Sequence, residues 1–305
     1  MPATPARRAT PVRSIARFAA RFAARFAALV AVLILGLGLP LAAMRPAVGQ
    51  PAAPAAPAAP ERLDTCPGLV SRTSPRIVPA AFLPAALAPD QARVTYIGHS
   101  TFLIESPRQV RVATDYNDYV KPTVVPDIAT MNRAHSTHYT LSPDPGIRHV
   151  LHGWRDDGKP AGHDISYQDV HVRSVATNIR DWAGGTSRHG NSIFVIEVGT
   201  LCIAHLGHLH HTLTPQQVSE IGRVDVVLVP VDGSYTLDLD GMVEVLQALK
   251  APLMIPMHYF SRYTLDRFLE RVKADYEIEL AETPTVVLSK TTLPTKPKFL
   301  VLPGR

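Results

Sequence analysis

The residues with the most chemistry to offer are histidines. Four of the 13 fall within seven positions of Cys202-Ile203-Ala204-His205-Leu206-Gly207-His208-Leu209-His210-His211, directly after an apolar run that reads as a buried strand. Ala134-His135-Ser136-Thr137-His138 and Pro256-Met257-His258-Tyr259 put further imidazoles at similar strand-to-loop junctions far away in sequence. A neutral imidazole is a good ligand for a borderline-soft metal ion, so three separate segments point to one convergent metal site. The only cysteines are Cys66 and Cys202. A thiolate zinc site is thereby excluded, at most one disulfide can form, and Cys202 reads as a small buried hydrophobe in mid-strand.

The remaining histidines carry blander expectations. His149, His152, His163 and His171 lie in a polar stretch and read as surface or turn residues, and His99 reads as a turn residue. His205, inside the strand, fits a satisfied buried histidine as well as a ligand, while His210 and His211 open a loop ahead of a helix.

The elements that must position these side chains follow from periodicity and caps. Residues 93–97, 101–106 and 110–114 form a meander with Gly98-His99-Ser100 as its first turn. Further strands are expected at 170–176, 192–198, 201–206, 224–230 and 252–256. Helices are expected at 215–221, with Thr214 as cap and Pro215 at the first helical position, at 239–249 behind Asp238, and at 264–274. This pattern is that of an α/β protein with sheets covered by helices.

The formal charge of +5 and pI near 9.3 are misleading. Seven arginines (Arg7, Arg8, Arg13, Arg17, Arg21, Arg25 and Arg45) precede residue 50, where there is no acidic residue; without them 24 basic residues face 26 acidic ones. The body of the chain offers no basic patch for nucleic acid, so a small-molecule substrate is the expected partner. The Arg-rich start followed by the apolar stretch Phe26 to Met44 reads as a signal peptide or N-terminal membrane anchor, residues 1–49. The chain is expected to be exported, either periplasmic or anchored to the inner membrane facing outward. PAAPAAPAAP supplies an extended linker at 50–61, an N-terminal extension covers 62–91, and one domain fills 92–305.

That domain carries a resemblance. Val94-Thr95-Tyr96-Ile97-Gly98-His99-Ser100-Thr101-Phe102-Leu103-Ile104-Glu105, Gly190-Asn191-Ser192-Ile193-Phe194-Val195-Ile196-Glu197, His205-Leu206-Gly207-His208, Val229-Pro230-Val231-Asp232-Gly233 and Ile255-Pro256-Met257-His258-Tyr259 follow in the order seen in metallo-β-lactamase-fold hydrolases. The likeness is closest to the branch of lactonases and N-acyl-phosphatidylethanolamine hydrolases. It implies an αββα sandwich with one or two metal ions at the sheet edge. The family's His-x-His-x-Asp-His motif is here Arg133-Ala134-His135-Ser136-Thr137-His138, its third-motif histidine falls near Asn178, and its bridging aspartate is His208. Sorted by ion, these changes strip the first metal of two ligands and leave the second with His138 and His258.

The resemblance thus implies a mononuclear site of His138, His208 and His258 with His135 adjacent. Zinc is the first candidate, and iron, nickel, copper or manganese are others. Arg133, standing where the lost ion's charge sat, is expected to hold a substrate anion. Asp232 is the candidate for the missing carboxylate and equally a turn residue ahead of Gly233. Asp115 is expected to support the first-motif loop, and Tyr235 and Tyr259 are candidate pocket walls. Two functions stay open: a hydrolase using a metal-bound water on an ester, lactone or amide bond, or a non-hydrolytic binding protein that keeps the fold.

Overall fold

The computed structural model describes residues 86–181 and 183–304. The expected leader or anchor, the linker, nearly all of the extension and Cys66 lie outside the described residues. Among the described residues no helix is long and apolar enough to cross a membrane.

The strands are β1 Gln91–Gly98, β2 Thr101–Glu105, β3 Arg111–Ala113, β4 Ile128–Met131, β5 His149–His152, β6 Asp164–Tyr167, β7 Val170–Arg180, β8 Thr186–Val198, β9 Leu201–His205, β10 Val226–Pro230, β11 Leu253–Met257, β12 Glu277–Leu280, β13 Thr285–Ser289 and β14 Lys298–Val301. The helices are α1 Pro215–Ile221, α2 Leu239–Leu249 and α3 Arg262–Val272. A six-stranded sheet runs β13-β1-β2-β3-β4-β5 and an eight-stranded sheet runs β12-β14-β11-β10-β9-β8-β7-β6.

Side-chain alternation explains the layering. From the eight-stranded sheet, Phe194, Ile196, Ile203, Val226, Leu228 and Ile255 join Val94, Phe102, Ile104 and Val112 of the other sheet in a shared core. Their neighbours Ile193, Val195, Ala204, Val227, Val229 and Met254 face the opposite way, onto Met242, Val245 and Leu246 of α2 and Leu265 and Phe268 of α3. The helices follow their caps. Thr214 and Gln217 form a reciprocal capping box on α1, and the Asp238 side chain accepts from the Gly241 N–H at the start of α2.

The fold is the expected α/β sandwich, with one difference in its covering. The outer face of the six-stranded sheet is closed by Tyr116 and Ile147 from loops over Ala113, Ala129 and Met131, and these loops lie where a helix layer is expected.

β9, β10 and β11 are parallel, so their carboxyl ends share one edge. Open α/β sheets bind ligands at that edge. The chain leaves these strands into His208, Asp232 and His258, while the β1–β2 turn brings His99, β3 runs into Asp115 and β4 into the segment 133–138.

Candidate metal centre

Histidines from four loops converge at this edge. One ring nitrogen each from His99, His135, His138 and His258 lies within 4.8 Å of the others, and His208 joins them with its Nε2 3.0 Å from Nε2 of His135. His138 and His258 are fully buried, and His208 nearly so. His99, Asp115 and His258 all hold left-handed backbone, with φ of 51°, 42° and 56°. Non-glycine residues persist there only when the surroundings over-determine them, and such residues cluster at functional sites. Gly207, at φ 61°, has no freedom to change, because a Cβ would come within 2.4 Å of the side chains of Asn132 and Asn191. Those two amides hold the loops together: Asn132 donates to Asp115, and Asn191 accepts from the His208 backbone N–H.

What each ring nitrogen can do is set by the partner on the other nitrogen. His138 Nδ1 sits 2.5 Å from Asp115 Oδ2, and His258 Nδ1 sits 3.0 Å from Asp232 Oδ1. With Nδ1–H donating to a carboxylate, each ring keeps a bare lone pair on Nε2. Those two Nε2 atoms face each other at 3.2 Å. With neither Nε2 protonated, the two lone pairs converge on one point, which is the donor arrangement a cation takes. Two imidazoles on one tetrahedral zinc ion stand about 3.3 Å apart, given Zn–N distances of about 2.0–2.1 Å, and the donor pair fits such an ion.

Burial, and then the neighbouring imidazoles His258 and His138 respectively, lower the pKa values of His138 and His208 well below the ordinary range. His99 is brought down to about 4 by burial and by His258. These rings are therefore neutral near pH 7. Burial raises the Asp115 carboxyl, with His205 and Asn132 opposing. Burial also works to raise Asp232, but hydrogen bonds from His258 and Thr236 outweigh it and hold that carboxyl well below the usual range.

Asp232 does not face the opening among the imidazoles. It stands behind His258 and accepts from the backbone N–H groups of Ser234, Tyr235 and Thr236, so its carboxylate forms the turn and orients the His258 ring. Asp115 stands in the same way behind His138. Arg133 is exposed and, with His135, His208, Arg180 and Tyr235, lines a cavity of about 530 Å³ beside the centre. Tyr235 stacks edge-on to exposed Phe260, which in turn packs on His258. Tyr259 packs on Tyr96 and donates to the Leu302 carbonyl, away from this wall.

His205 is the satisfied buried histidine, giving Nε2–H to the Ser100 carbonyl and receiving the Gly207 N–H on Nδ1. Asn178 turns into the β7–β8 hairpin, where it accepts from the His189 N–H. Sequence reasoning gave His99 only a turn role and did not single out Phe260. The available signal for His99 was its place directly after Gly98 at the end of an apolar strand.

Comparison with known proteins gives the family. The model of the β-lactamase superfamily domain family matches residues 93–258. A UPF0173 metal-dependent hydrolase of Thermoplasma acidophilum is 27% identical over 206 residues, spanning 61% of this chain and 91% of the relative. A second, from Methanoculleus marisnigri, is 24% identical over 199 residues, 61% of this chain and 88% of the relative. Among solved structures, a candidate Zn-dependent hydrolase of the metallo-β-lactamase superfamily from Thermotoga maritima superposes with a TM-score of 0.52 at 28% identity, covering 70% of this chain and all of that one. The chain belongs to the β-lactamase superfamily domain family, within the metallo-β-lactamase-fold hydrolase superfamily.

Proposed function

We propose that this chain is a metal-dependent hydrolase with a mononuclear centre, its ion held by His138 and His258 with His135 as third ligand. It acts on an ester, lactone or amide bond of a small molecule that carries an anionic group. The observation that carries the reading is the pair of carboxylate-backed Nε2 atoms facing each other at 3.2 Å. The relatives named metal-dependent hydrolases support it. Zinc is the first candidate on the all-imidazole donor set. When bound, such an ion supplies Lewis acidity, bringing the pKa of a coordinated water toward about 7 and polarising the bond under attack.

The chain's own residues do the rest. Arg133 offers a planar guanidinium to a carboxylate or similar group on the cavity wall, and Tyr235 with Phe260 offers an apolar face for the remainder of the substrate. His99, brought down to about 4 by burial and by His258, is neutral and only a weak base near pH 7.

A non-hydrolytic binding protein is the second reading, favoured by one observation: both aspartates at the centre are committed to histidines. The test is a panel of anionic esters, lactones and amides offered to metal-depleted and zinc-reconstituted full-length protein. Zinc-dependent turnover abolished by His258→Ala supports the hydrolase; bound zinc without turnover of any class supports the binder. We also propose export, on the strength of the arginine-rich start and the apolar stretch 26–44. Recovery of the tagged chain in the cytosolic fraction would contradict that.

A further inference from the structure

The cluster that drew attention in the sequence holds a hydrogen-bond chain whose direction is fixed at one end. The backbone N–H of Arg180 can only donate, and it points at His210 Nδ1 from 2.5 Å. That nitrogen accepts, so the proton of His210 is on Nε2. His210 Nε2 lies 2.7 Å from His208 Nδ1, which must then accept in turn. An imidazole keeps at least one proton, and for His208 only Nε2 is left to carry it.

We infer that His208 is a hydrogen-bond donor at the mouth of the centre, not a metal ligand, and that it takes the oxygen anion developing on a carbonyl under attack. This revises the expectation that His208 replaces the family's bridging aspartate as a ligand. An aspartate presents lone pairs, whereas His208, held by His210, presents an N–H. Ligation through Nε2 would need the proton on His208 Nδ1, hence a bare His210 Nε2, hence a proton on His210 Nδ1 driven against the Arg180 N–H.

The direction continues consistently into the centre. His208 Nε2–H donates to His135 Nε2 at 3.0 Å, and His135 Nδ1–H donates to Thr137 Oγ1 at 2.7 Å. His135 therefore presents a lone pair, as a ligand must. Once that lone pair is given to an ion, the His208 N–H is released toward the cavity that both residues line with Arg133. Arg180 and His210 are positioning residues. The Arg180 guanidinium is itself tied to the carbonyls of Ser234, Tyr235 and Thr236, which anchors the start of the chain.

The functional half of this inference rests on the metal reading above; the tautomer does not, so the two are tested apart. Long-range ¹H–¹⁵N spectra of the metal-free full chain, assigned with His→Gln variants, should show His208 and His210 as Nε2–H tautomers and His138 and His258 as Nδ1–H. In His210→Ala the His208 signal should shift toward the other tautomer. Zinc affinity of His208→Gln should stay within about threefold of wild type while kcat falls about 100- to 1,000-fold, the usual cost of losing one oxyanion donor. An Nδ1–H tautomer at His208, or loss of zinc from His208→Gln matching that from His258→Gln, would overturn the inference. Failure of the wild type to bind zinc would instead overturn the metal reading, leaving the tautomer result to decide this one.

Discussion

Two pairs of buried histidines at the same sheet edge have opposite supports. His138 and His258 are backed by carboxylates, whereas His205 and His208 are governed by backbone N–H groups, directly from Gly207 for His205 and through His210 from Arg180 for His208. A carboxylate fixes the proton on the near nitrogen and leaves a lone pair at the far one. A backbone N–H does the reverse. Residue type and burial are alike in the two pairs, so the partner on the second ring nitrogen decides which histidines hold a cation and which donate to an oxygen.

Breaking the carboxylate backing gives the largest contrast. Asp232→Asn and Asp115→Asn are each expected to weaken zinc binding about 10- to 100-fold in competitive titrations. An unchanged affinity would remove the distinction between the pairs. His205→Ala is expected to do the opposite, costing about 1–3 kcal/mol in denaturant unfolding because the Ser100 carbonyl and Gly207 N–H lose their partner, with zinc affinity unchanged.

Acid sharpens the comparison in the metal-free protein. His99 and His210 are brought down to about 4, by burial first and then by His258 and Arg180 respectively, and His138, His205 and His208 are lowered mainly by burial. A histidine whose folded pKa lies below its unfolded value of about 6.5 contributes stability that is complete above that value and is lost as pH falls. Tm should be flat above pH 7 and fall by about 5–10 °C between pH 6.5 and 4, and saturating zinc should steepen the fall, since protons then compete with the ion. A Tm that rises on acidification would contradict the neutral assignment. The smallest effect is expected at exposed Arg133. Arg133→Ala should raise KM about tenfold for anionic substrates with little change in kcat, and leave KM for neutral analogues as it was.

Much of this arrangement was legible in the residues. The helices α1 and α2 begin and end where Thr214-Pro215 and Asp238 predict, because caps are local chemistry. Strands β1, β2 and β7 to β11 follow from apolar runs. β4, β5 and β6 did not, since each has only four residues, and β5 and β6 are polar edge segments whose strand character comes from pairing and not from their own pattern. At the site, the convergence of His135, His138, His208 and His258 was readable from strand ends. The direction of their protons was not, because it depends on which nitrogen meets Asp115, Asp232 or the Arg180 N–H across large sequence separations. His99 escaped for the same reason: it is joined to the others by the fold and by no motif.

The central claim is one metal ion per chain, held by the carboxylate-backed pair. Equilibrium zinc titration of metal-depleted full-length protein, followed by elemental analysis after gel filtration, tests it most directly. One tightly held equivalent in the wild type and none in His258→Gln or His138→Gln is the predicted result. Two equivalents in the wild type, or one equivalent surviving in His258→Gln, would contradict it.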